Sequence, residues 1–491
     1  MQVPRCMSTQ HPDNAKAPFF ADRAVIEGEA EIKEAYYAYS HLGCCEQMWD
    51  YEGKEVDAFV VKKLFTRYES FFRAHAVGRD LFLTLRVPNP RIERLEAKVL
   101  IETLESIPRS HDAARTLYGD DAPCPIFEVI LPMTSSADEL NRVYHYYRDF
   151  VGGKEQQSCY DITVREWVGD YLPDVIRVIP LFEDLDRLMT VDAIVEEYLR
   201  DKDYDAHRVF LARSDPALNY GQLSAVLLTK IALQRLDRLE RKLGIELLPI
   251  VGVGSAPFRG NLHPGRVGEF LAEYPSVQTF TIQSAFKYDH PEPEVRAAID
   301  QLNATARGPA QEIDEHASRA IIDKVSQRYA KCVHALAPMI NDVASYVPAR
   351  RARKLHIGLF GYSRELNGPE SVRLPRAIGF CAALYSLGMP PEILGLAALS
   401  DQELAFVRES YVNVDQDLRD SLRFLSVKNL KQFPPIVRKD VEAALDAFPL
   451  DIDPEHAELA AGIMTDLRHG RPRAEITEKI QRAAVCRRFL G

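Results

Sequence analysis

Short apolar segments alternate with longer stretches of helical pattern along most of this chain. Most of these segments are nearly continuously apolar and rich in β-branched or aromatic residues, which is typical of parallel strands buried on both faces. In order, they span residues 44–49, 81–87, 126–131, 175–182, 208–212, 247–253, 277–283 and 355–360. The alternation with helical stretches predicts right-handed βαβ units.

Two of the intervening helices can be placed closely. One is predicted to begin after Thr190, a typical N-cap residue, because an apolar stripe at helical spacing follows it. That stripe consists of Val191, Ile194, Val195, Tyr198 and Leu199. The other is predicted over residues 221–243, and Gly244 follows it where a glycine commonly ends a helix.

Eight strands of this kind would close into a barrel. An open, doubly wound sheet is the alternative, but no G-x-G-x-x-G sequence follows the first strand, as a dinucleotide-binding sheet would require. From about residue 390 to the last residue the pattern is helical. We therefore expect an α/β fold, a (β/α)8 TIM-type barrel with additional, mainly C-terminal, helices. Residues 1–40 would form an N-terminal catalytic loop and helix, residues 41–390 the barrel, and residues 391–491 a helical extension packed on it as part of one structural unit.

Composition narrows the class of function. The chain has 491 residues, of which 46% are hydrophobic, and a formal net charge of −11 without a long basic run. Because nucleic-acid binding needs clustered positive charge, we expect no nucleic-acid partner. No run of 18 apolar residues occurs, so no membrane span is predicted. Eight scattered cysteines without C-x-x-C or zinc-ligand spacing indicate a reduced, cytoplasmic protein.

Two acidic residues follow neighbouring predicted strands. Glu183 comes directly after the fourth strand, and Asp215 comes shortly after the fifth. In a barrel these strand ends meet at one rim, where active sites lie. Carboxylates so placed suit a hard cation such as Mg²⁺ or Mn²⁺. Each acid, taken alone, is equally compatible with a solvated loop.

Three arginines and a glutamine also fall at predicted strand ends. Arg86 ends the second strand, Gln283 ends the seventh, and Arg364 follows the eighth. Arg259 lies in the glycine-rich loop 252–261, where backbone amides and a guanidinium could together bind an anion. A structural turn and surface ion pairs are the alternatives. Converging with the two acids, these arginines would form a site for a phosphate ester beside a metal ion.

His11 lies in a polar segment with loop character. Histidine titrates near neutral pH, so it could move a proton in a reaction. On the residues alone, a loop histidine of this kind is more often one without a function.

Three motifs resemble one enzyme family. The segments M-S-T-Q-H-P-D-N (7–14), V-I-P-L-F-E-D-L (178–185) and F-L-A-R-S-D-P-A-L-N (210–219) are similar to motifs of the archaeal-type phosphoenolpyruvate carboxylases, and the resemblance extends over essentially the whole chain. It implies that His11 is catalytic, that Glu183 and Asp215 bind the metal, that Arg259 and Arg364 are both catalytic and substrate-binding, and that Arg86 and Gln283 bind substrate. Two positions depart from the longer bacterial and plant enzymes: Gly254–Ser255 stands near the place of one G-R-G-G arginine, and Leu218 replaces a lysine.

The resemblance also implies a reaction. Phosphoenolpyruvate and bicarbonate would give oxaloacetate and phosphate, through carboxyphosphate and a metal-stabilised enolate, with Mg²⁺ or Mn²⁺ and without biotin. It further implies a homotetramer, and the segments around His11 and Arg259 are the candidates for a lid that excludes water. Two alternatives stay open: another metal-dependent phosphoenolpyruvate or pyruvate barrel enzyme, such as an aldolase or phosphotransferase, and an inactive paralogue that serves as a binding protein.

Overall fold

A closed barrel of eight parallel strands forms the centre of the molecule, and its strands are paired in chain order. The computed structural model describes residues 3–54, 56–352, 354, 365–366 and 372–491. The barrel strands are β1 (Cys6–Ser8), β2 (Glu46–Asp50), β3 (Phe82–Arg86), β4 (Glu128–Leu131), β5 (Arg177–Phe182), β6 (Ala206–Ala212), β7 (Glu246–Gly252) and β8 (Thr279–Ile282). The predicted TIM-type barrel is confirmed, and seven predicted strands match β2–β8 to within two residues at each end.

The barrel closes differently from the prediction. Its remaining place is filled by β1, which pairs with β8 through Cys6 and Phe280 and with β2 through Ser8 and Gln47. The expectation that residues 355–360 supply the closing strand is therefore wrong, although that segment itself lies outside the described residues. The physical reason is that β1 is only three residues long, too short to produce a recognisable apolar period.

Helices surround the barrel and follow most of its strands. In the first 350 residues they are α1 (Glu29–Ser40), α2 (Val60–Arg67), α3 (Glu69–Ala74), α4 (Ala97–Glu105), α5 (Ile107–Tyr118), α6 (Ala137–Tyr146), α7 (Val164–Val168), α8 (Leu185–Leu188), α9 (Val191–Leu199), α10 (Ser214–Tyr220), α11 (Gln222–Leu243), α12 (Val267–Glu273), α13 (Ser284–Tyr288), α14 (Glu292–Ala304) and α15 (Glu315–Ala344). Two short antiparallel pairs lie outside the barrel, Ser158–Cys159 with Ile162–Thr163 and Glu365–Leu366 with Val372–Arg373. Short 3-10 or π turns are Arg94–Glu96, Tyr147–Val151, Gly152–Gln156, Pro257–Arg259, Pro264–Arg266, Pro391–Ile393, Leu396–Ala398 and Val427–Gln432.

The two helices whose positions were predicted from the sequence are α9 and α11, and both are found. All five apolar residues of the stripe on α9 are buried, and α11 ends at Gly244, which adopts a left-handed conformation with φ of 68°. Thr190 does precede α9, but its hydroxyl donates to the carbonyl of Asp186 instead of capping the helix.

Additional helices form a C-terminal layer, as expected. They are α16 (Ala377–Ser386), α17 (Asp401–Ser410), α18 (Val414–Leu422), α19 (Pro435–Ala447), α20 (Pro454–Arg468) and α21 (Arg473–Arg487). Among the described residues, no single helix has the length and apolarity to cross a membrane. The segments Ala377–Ser386 and Pro391–Ala398, bent by 100° at a break, meet that criterion only as a pair, by length and composition.

A polar layer fills the barrel at the N-terminal ends of its strands. Arg208 on β6 donates two hydrogen bonds of 2.7 Å to the Glu46 carboxylate on β2 and a third, of 3.1 Å, to Glu128 on β4. Its guanidinium also lies 3.3 Å from the Thr279 hydroxyl on β8. The layer is thus built from alternate strands, as in other TIM-type barrels, but it contains a buried ion pair in place of apolar side chains.

Removing the positive charge of this layer should destabilise the barrel strongly. In Arg208→Met, the carboxylates of Glu46 and Glu128 stay buried without their cation, and we expect a loss of about 3–5 kcal/mol in the free energy of unfolding. Urea denaturation followed by circular dichroism measures it. The control is Arg241→Met, which removes an exposed i,i+4 pair with Asp237 and should cost less than about 1 kcal/mol. Equal effects of the two substitutions would contradict the prediction.

Candidate active site

A cavity of about 90 Å³ opens at the C-terminal ends of the barrel strands. Every predicted site residue that the structure describes lines it: His11, Arg86, Glu183, Asp215, Arg259 and Gln283. Arg364 lies outside the described residues. Residues from both halves of the sequence therefore meet at the rim where the strand-end argument placed them.

The two acids reach the cavity from adjacent strands. Glu183 directly follows β5, and Asp215 lies in the first turn of α10, just after β6. One oxygen of Glu183 accepts a hydrogen bond of 2.8 Å from the backbone N–H of Met133, which fixes the carboxylate. In the described part of the chain, no group of three or more His, Cys, Asp or Glu side chains is arranged to hold a metal ion. A pair of carboxylates fits Mg²⁺ well, because this ion keeps several water or substrate oxygens among its ligands.

Arg86 is held by two acids. Its guanidinium makes a bidentate pair with Asp50, with both hydrogen bonds at 2.7 Å, and lies 3.0 Å from Glu52. Asp50 also pairs with Lys54, and Glu52 pairs with Arg376 at 3.0 Å. Three cations are thus fixed in place by two buried carboxylates on one side of the cavity.

Lys54, Arg213 and Arg376 all line the cavity, and none of them was identified from the sequence. Arg376 precedes α16, far from any barrel strand in sequence, so strand ends gave no signal for it. Burial opposes its charge, but Glu52 and then Asp215 outweigh burial and raise the pKa of Arg376. Arg213 could have been found, since it lies between β6 and Asp215. It donates a 3.2 Å hydrogen bond to the carbonyl of Phe258.

Arg259 connects several segments of the site. It is 2% exposed and donates to Gln283 at 2.6 Å, to Asp13 at 3.3 Å and to the backbone carbonyl of Gly491 at 2.9 Å. One guanidinium is therefore in contact with the segment that carries His11, with the residue that follows β8, and with Gly491.

The glycines of the loop make room for side chains. A Cβ atom at Gly254 would lie 2.9 Å from the Arg259 guanidinium and 3.1 Å from the Gln283 amide oxygen. Gly260 has a φ of 129°, and a Cβ atom there would lie 2.8 Å from the side chain of Val253. Gly254 and Gly260 therefore leave the room in which these side chains pack, and the role of the loop in binding an anion stays a prediction.

His11 lies in a tight turn that follows β1 and contacts the end of β8. Its carbonyl accepts hydrogen bonds from the N–H groups of Asp13, at 3.1 Å, and Ser284, at 3.2 Å. Burial, together with the positive charges of Arg86 and Lys54, holds the pKa of His11 well below its usual value. The imidazole is thus neutral at pH 7 and available as a base.

The two segments expected to act as a lid contact each other beside the cavity. Residues 13–15 and residues 253–262 are buried, whereas residues 16–17 and 22–24 are exposed. Asp13 connects the two, since its carboxylate accepts from Arg259 and from the N–H of Ala285 at 2.7 Å. The two segments are thus joined in this structure, and their closure as a lid stays a prediction.

A buried acid lies under the turn that carries Arg259. Glu392 accepts a hydrogen bond from the Tyr385 hydroxyl. A backbone hydrogen bond from Phe258 also acts on its carboxylate and, like that of Tyr385, opposes a rise in its pKa. Burial raises the pKa of Glu392 to about 8, against a usual value of 4.5. The folded protein therefore binds one more proton than the unfolded chain between these two pH values, and its stability falls as the pH rises through that window.

Replacing Glu392 by glutamine should remove this penalty. We expect Glu392→Gln to raise the apparent melting temperature at pH 8.5 by about 2–5 °C, because the side chain no longer ionises. At pH 4.5 the difference should vanish. Differential scanning fluorimetry at both pH values tests this, with the exposed Glu442→Gln as control. A gain that is equal at both pH values would contradict the assignment of this acid.

The closed barrel, with paired carboxylates, clustered cations and a neutral histidine at its C-terminal rim, defines the class: an enzyme with a TIM-type barrel.

Comparisons with known proteins give the family. A family profile described as phosphoenolpyruvate carboxylase matches residues 3–491. The chain is 52% identical to a phosphoenolpyruvate carboxylase of Methanothermobacter thermautotrophicus, over the full length of both. It is 49% identical to that of Halobacterium salinarum, again over both full lengths. It is also 49% identical to that of Pyrococcus furiosus, over 93% of this chain and 95% of the relative. The chain belongs to the phosphoenolpyruvate carboxylase family.

Proposed function

We propose that this cavity catalyses the carboxylation of phosphoenolpyruvate by bicarbonate, which yields oxaloacetate and phosphate. One observation carries the proposal: Glu183, Asp215, His11 and a group of arginines line the same cavity. An acidic pair beside clustered cations suits a substrate that has both a phosphate and a carboxylate. The neutral imidazole suits a reaction in which a proton must be removed.

Glu183 and Asp215 are the proposed ligands of a divalent ion, which family membership implies. We propose Mg²⁺, with Mn²⁺ as an equivalent occupant, because both accept carboxylate, water and substrate oxygens. The bound ion would supply positive charge against the enolate oxygen as the phosphoryl group leaves.

The cations are proposed to bind the anionic groups of the substrate. The family resemblance assigns this role to Arg86, Arg259 and Arg364, with Gln283 beside them, and the cavity adds Arg376. Because arginine keeps its charge at any working pH, it can bind a phosphoryl group without competing for protons. The carboxylates that hold Arg86 and Arg376 would orient these guanidinium groups before substrate arrives.

The proposed reaction begins with attack of bicarbonate on the phosphorus. The P–O bond to the enol oxygen breaks, which gives carboxyphosphate and the enolate of pyruvate. His11 removes the carboxyl proton of carboxyphosphate, which then breaks down to CO₂ and phosphate. The enolate carbon attacks CO₂ and forms oxaloacetate. The positive groups around the cavity favour each of these anionic species.

One assay separates this function from its alternatives. The protein is supplied with phosphoenolpyruvate, Mg²⁺ and ¹⁸O-labelled bicarbonate, and oxaloacetate and the label in phosphate are measured. We expect both products, with ¹⁸O in phosphate, because one bicarbonate oxygen becomes bonded to phosphorus. An aldolase or phosphotransferase would act without bicarbonate and leave phosphate unlabelled. An inactive binding protein would give neither product.

Further properties follow from the same proposal. Carboxyphosphate already activates the bicarbonate, so the enzyme would need no biotin, and added avidin should leave activity unchanged. We propose a cytoplasmic homotetramer without nucleic-acid or membrane partners. Light scattering should then give about four times the chain mass of 55.6 kDa.

A further inference from the structure

The ring of His11 is held by a hydrogen bond to a threonine two residues earlier. Its Nδ1 atom lies 2.9 Å from the Thr9 hydroxyl oxygen. Thr9 is fully buried. Its backbone N–H donates to the carbonyl of Ile282 at 3.0 Å, and its hydroxyl lies 3.4 Å from the same oxygen. Thr9 is thus fixed on the end of β8, and the imidazole is fixed on Thr9.

A hydroxyl group has one proton, so this contact selects between two tautomers of His11. If the hydroxyl donates to the Ile282 carbonyl, its oxygen accepts the proton of Nδ1, and Nε2 keeps a lone pair. If the hydroxyl donates to Nδ1 instead, Nε2 carries the proton. The first arrangement gives both protons an acceptor, whereas the second leaves the Thr9 oxygen without a donor from the ring.

The charges of the cavity favour the same arrangement. Among the described residues, the positive charges that lower the pKa of His11 most, after burial, are those of Arg86, Lys54, Arg259 and Arg376. A positive potential disfavours an N–H group that points towards it and favours a lone pair there. Since Nδ1 is hydrogen-bonded to Thr9 and His11 lines the cavity together with these cations, we expect the effect to act on Nε2.

We propose that Thr9 is a positioning residue that holds His11 in the tautomer with its proton on Nδ1, so that Nε2 offers its lone pair to the reaction. The inference rests on the proposed function, in which His11 takes the proton of carboxyphosphate. The proton moves to Nε2 and gives an imidazolium whose Nδ1–H still donates to Thr9. In the other tautomer Nε2 already carries a proton and cannot accept one.

The chain offers a matched pair of variants. Thr9→Val keeps the shape of the side chain but removes the hydroxyl, and Thr9→Ser keeps the hydroxyl. With Thr9→Val we expect kcat for oxaloacetate to fall about ten- to a hundredfold, as for other residues that orient a functional histidine. The KM for phosphoenolpyruvate should change less than about twofold, because in the described part of the chain none of the proposed substrate-binding cations is hydrogen-bonded to Thr9. Enolate that finds no CO₂ is protonated, so the pyruvate share of the products should rise. Thr9→Ser should restore most of kcat and the product ratio.

Wild-type kcat and product ratio in Thr9→Val would overturn the inference. So would a Thr9→Ser variant as impaired as Thr9→Val, since that result indicates a packing role. His11→Asn, assayed beside them, separates the two proposals. If it abolishes oxaloacetate formation while Thr9→Val keeps the wild-type kcat and product ratio, only the role of Thr9 fails. If His11→Asn still carboxylates, the proposed base fails and the role of Thr9 fails with it.

A second measurement needs no activity. Nitrogen-15 spectra of histidine-labelled protein distinguish Nδ1–H from Nε2–H, and His11→Asn identifies the signal of His11. We expect the Nδ1–H tautomer in the wild type and in Thr9→Ser, and a mixture of tautomers in Thr9→Val. An Nε2–H signal in the wild type would overturn the inference even if the enzyme were inactive.

Discussion

Replacing His11 by asparagine is expected to lower the rate of oxaloacetate formation about a hundred- to ten-thousandfold, the usual range for loss of a general base. Transfer of the phosphoryl group from phosphoenolpyruvate to bicarbonate should still occur, because the cations and carboxylates of the cavity are unchanged. Phosphoenolpyruvate would then be cleaved slowly in the presence of bicarbonate, and its enolate would leave as pyruvate. A coupled assay with malate dehydrogenase measures oxaloacetate, and one with lactate dehydrogenase measures pyruvate.

The control for this prediction is a histidine outside the cavity. His316 lies on α15 and is exposed, so His316→Asn should keep wild-type rates. If His11→Asn carboxylated at the rate of His316→Asn, His11 would have no place in the mechanism. Loss of pyruvate release together with oxaloacetate would instead indicate that substrate binding had failed.

Neutralising Glu183 should have a comparable effect for a different reason. Glu183→Gln keeps an oxygen that can accept the N–H of Met133, so the local fold is preserved while the charge is lost. We expect the affinity for Mn²⁺, followed by electron paramagnetic resonance, to fall at least about tenfold. Carboxylation should fall about a thousandfold, which corresponds to roughly 4 kcal/mol of lost transition-state stabilisation.

A control substitution three residues further along the chain tests whether the effect requires loss of a charge at the site, or follows from loss of any nearby negative charge. Asp186 is exposed on α8, and Asp186→Asn should change neither Mn²⁺ affinity nor rate. Unchanged Mn²⁺ binding in Glu183→Gln would remove this residue from the proposed ligand set. Asp215→Asn should behave like Glu183→Gln, because both acids line the same cavity.

Local pattern was sufficient for most of the barrel. Strands β2–β8 are buried segments of four to seven residues, long enough for their apolar character to stand out from the helices between them. The first strand was missed because Cys6–Ser8 offers only three residues, and its place is decided by its pairing with Phe280 and Gln47. No window of local sequence contains that information.

The same distinction applies to the cavity. Glu183 and Asp215 were found because a residue after a barrel strand must point to one rim. Arg376 was missed because it reaches that rim from the start of α16, and nothing in the residues around it shows where a helix of the C-terminal layer will pack. His11 was ambiguous for a related reason, since only the insertion of β1 between β8 and β2 brings it to the rim. Residues placed by strand ends were thus predictable, and residues placed by long-range packing were not.

The insertion of β1 between its two neighbours has a consequence for synthesis on the ribosome. Cys6 emerges early, but its partner Phe280 belongs to the last barrel strand. At about 5–20 residues per second, translation of the intervening chain takes roughly 14–55 seconds. During that time the edge of β1 that later pairs with β8 stays unpaired, as does the outer edge of the most recently formed strand, and such edges are sites for aggregation or chaperone binding. A nascent chain arrested before residue 279 is expected to stay open at this seam, with its histidine not yet delivered to the rim.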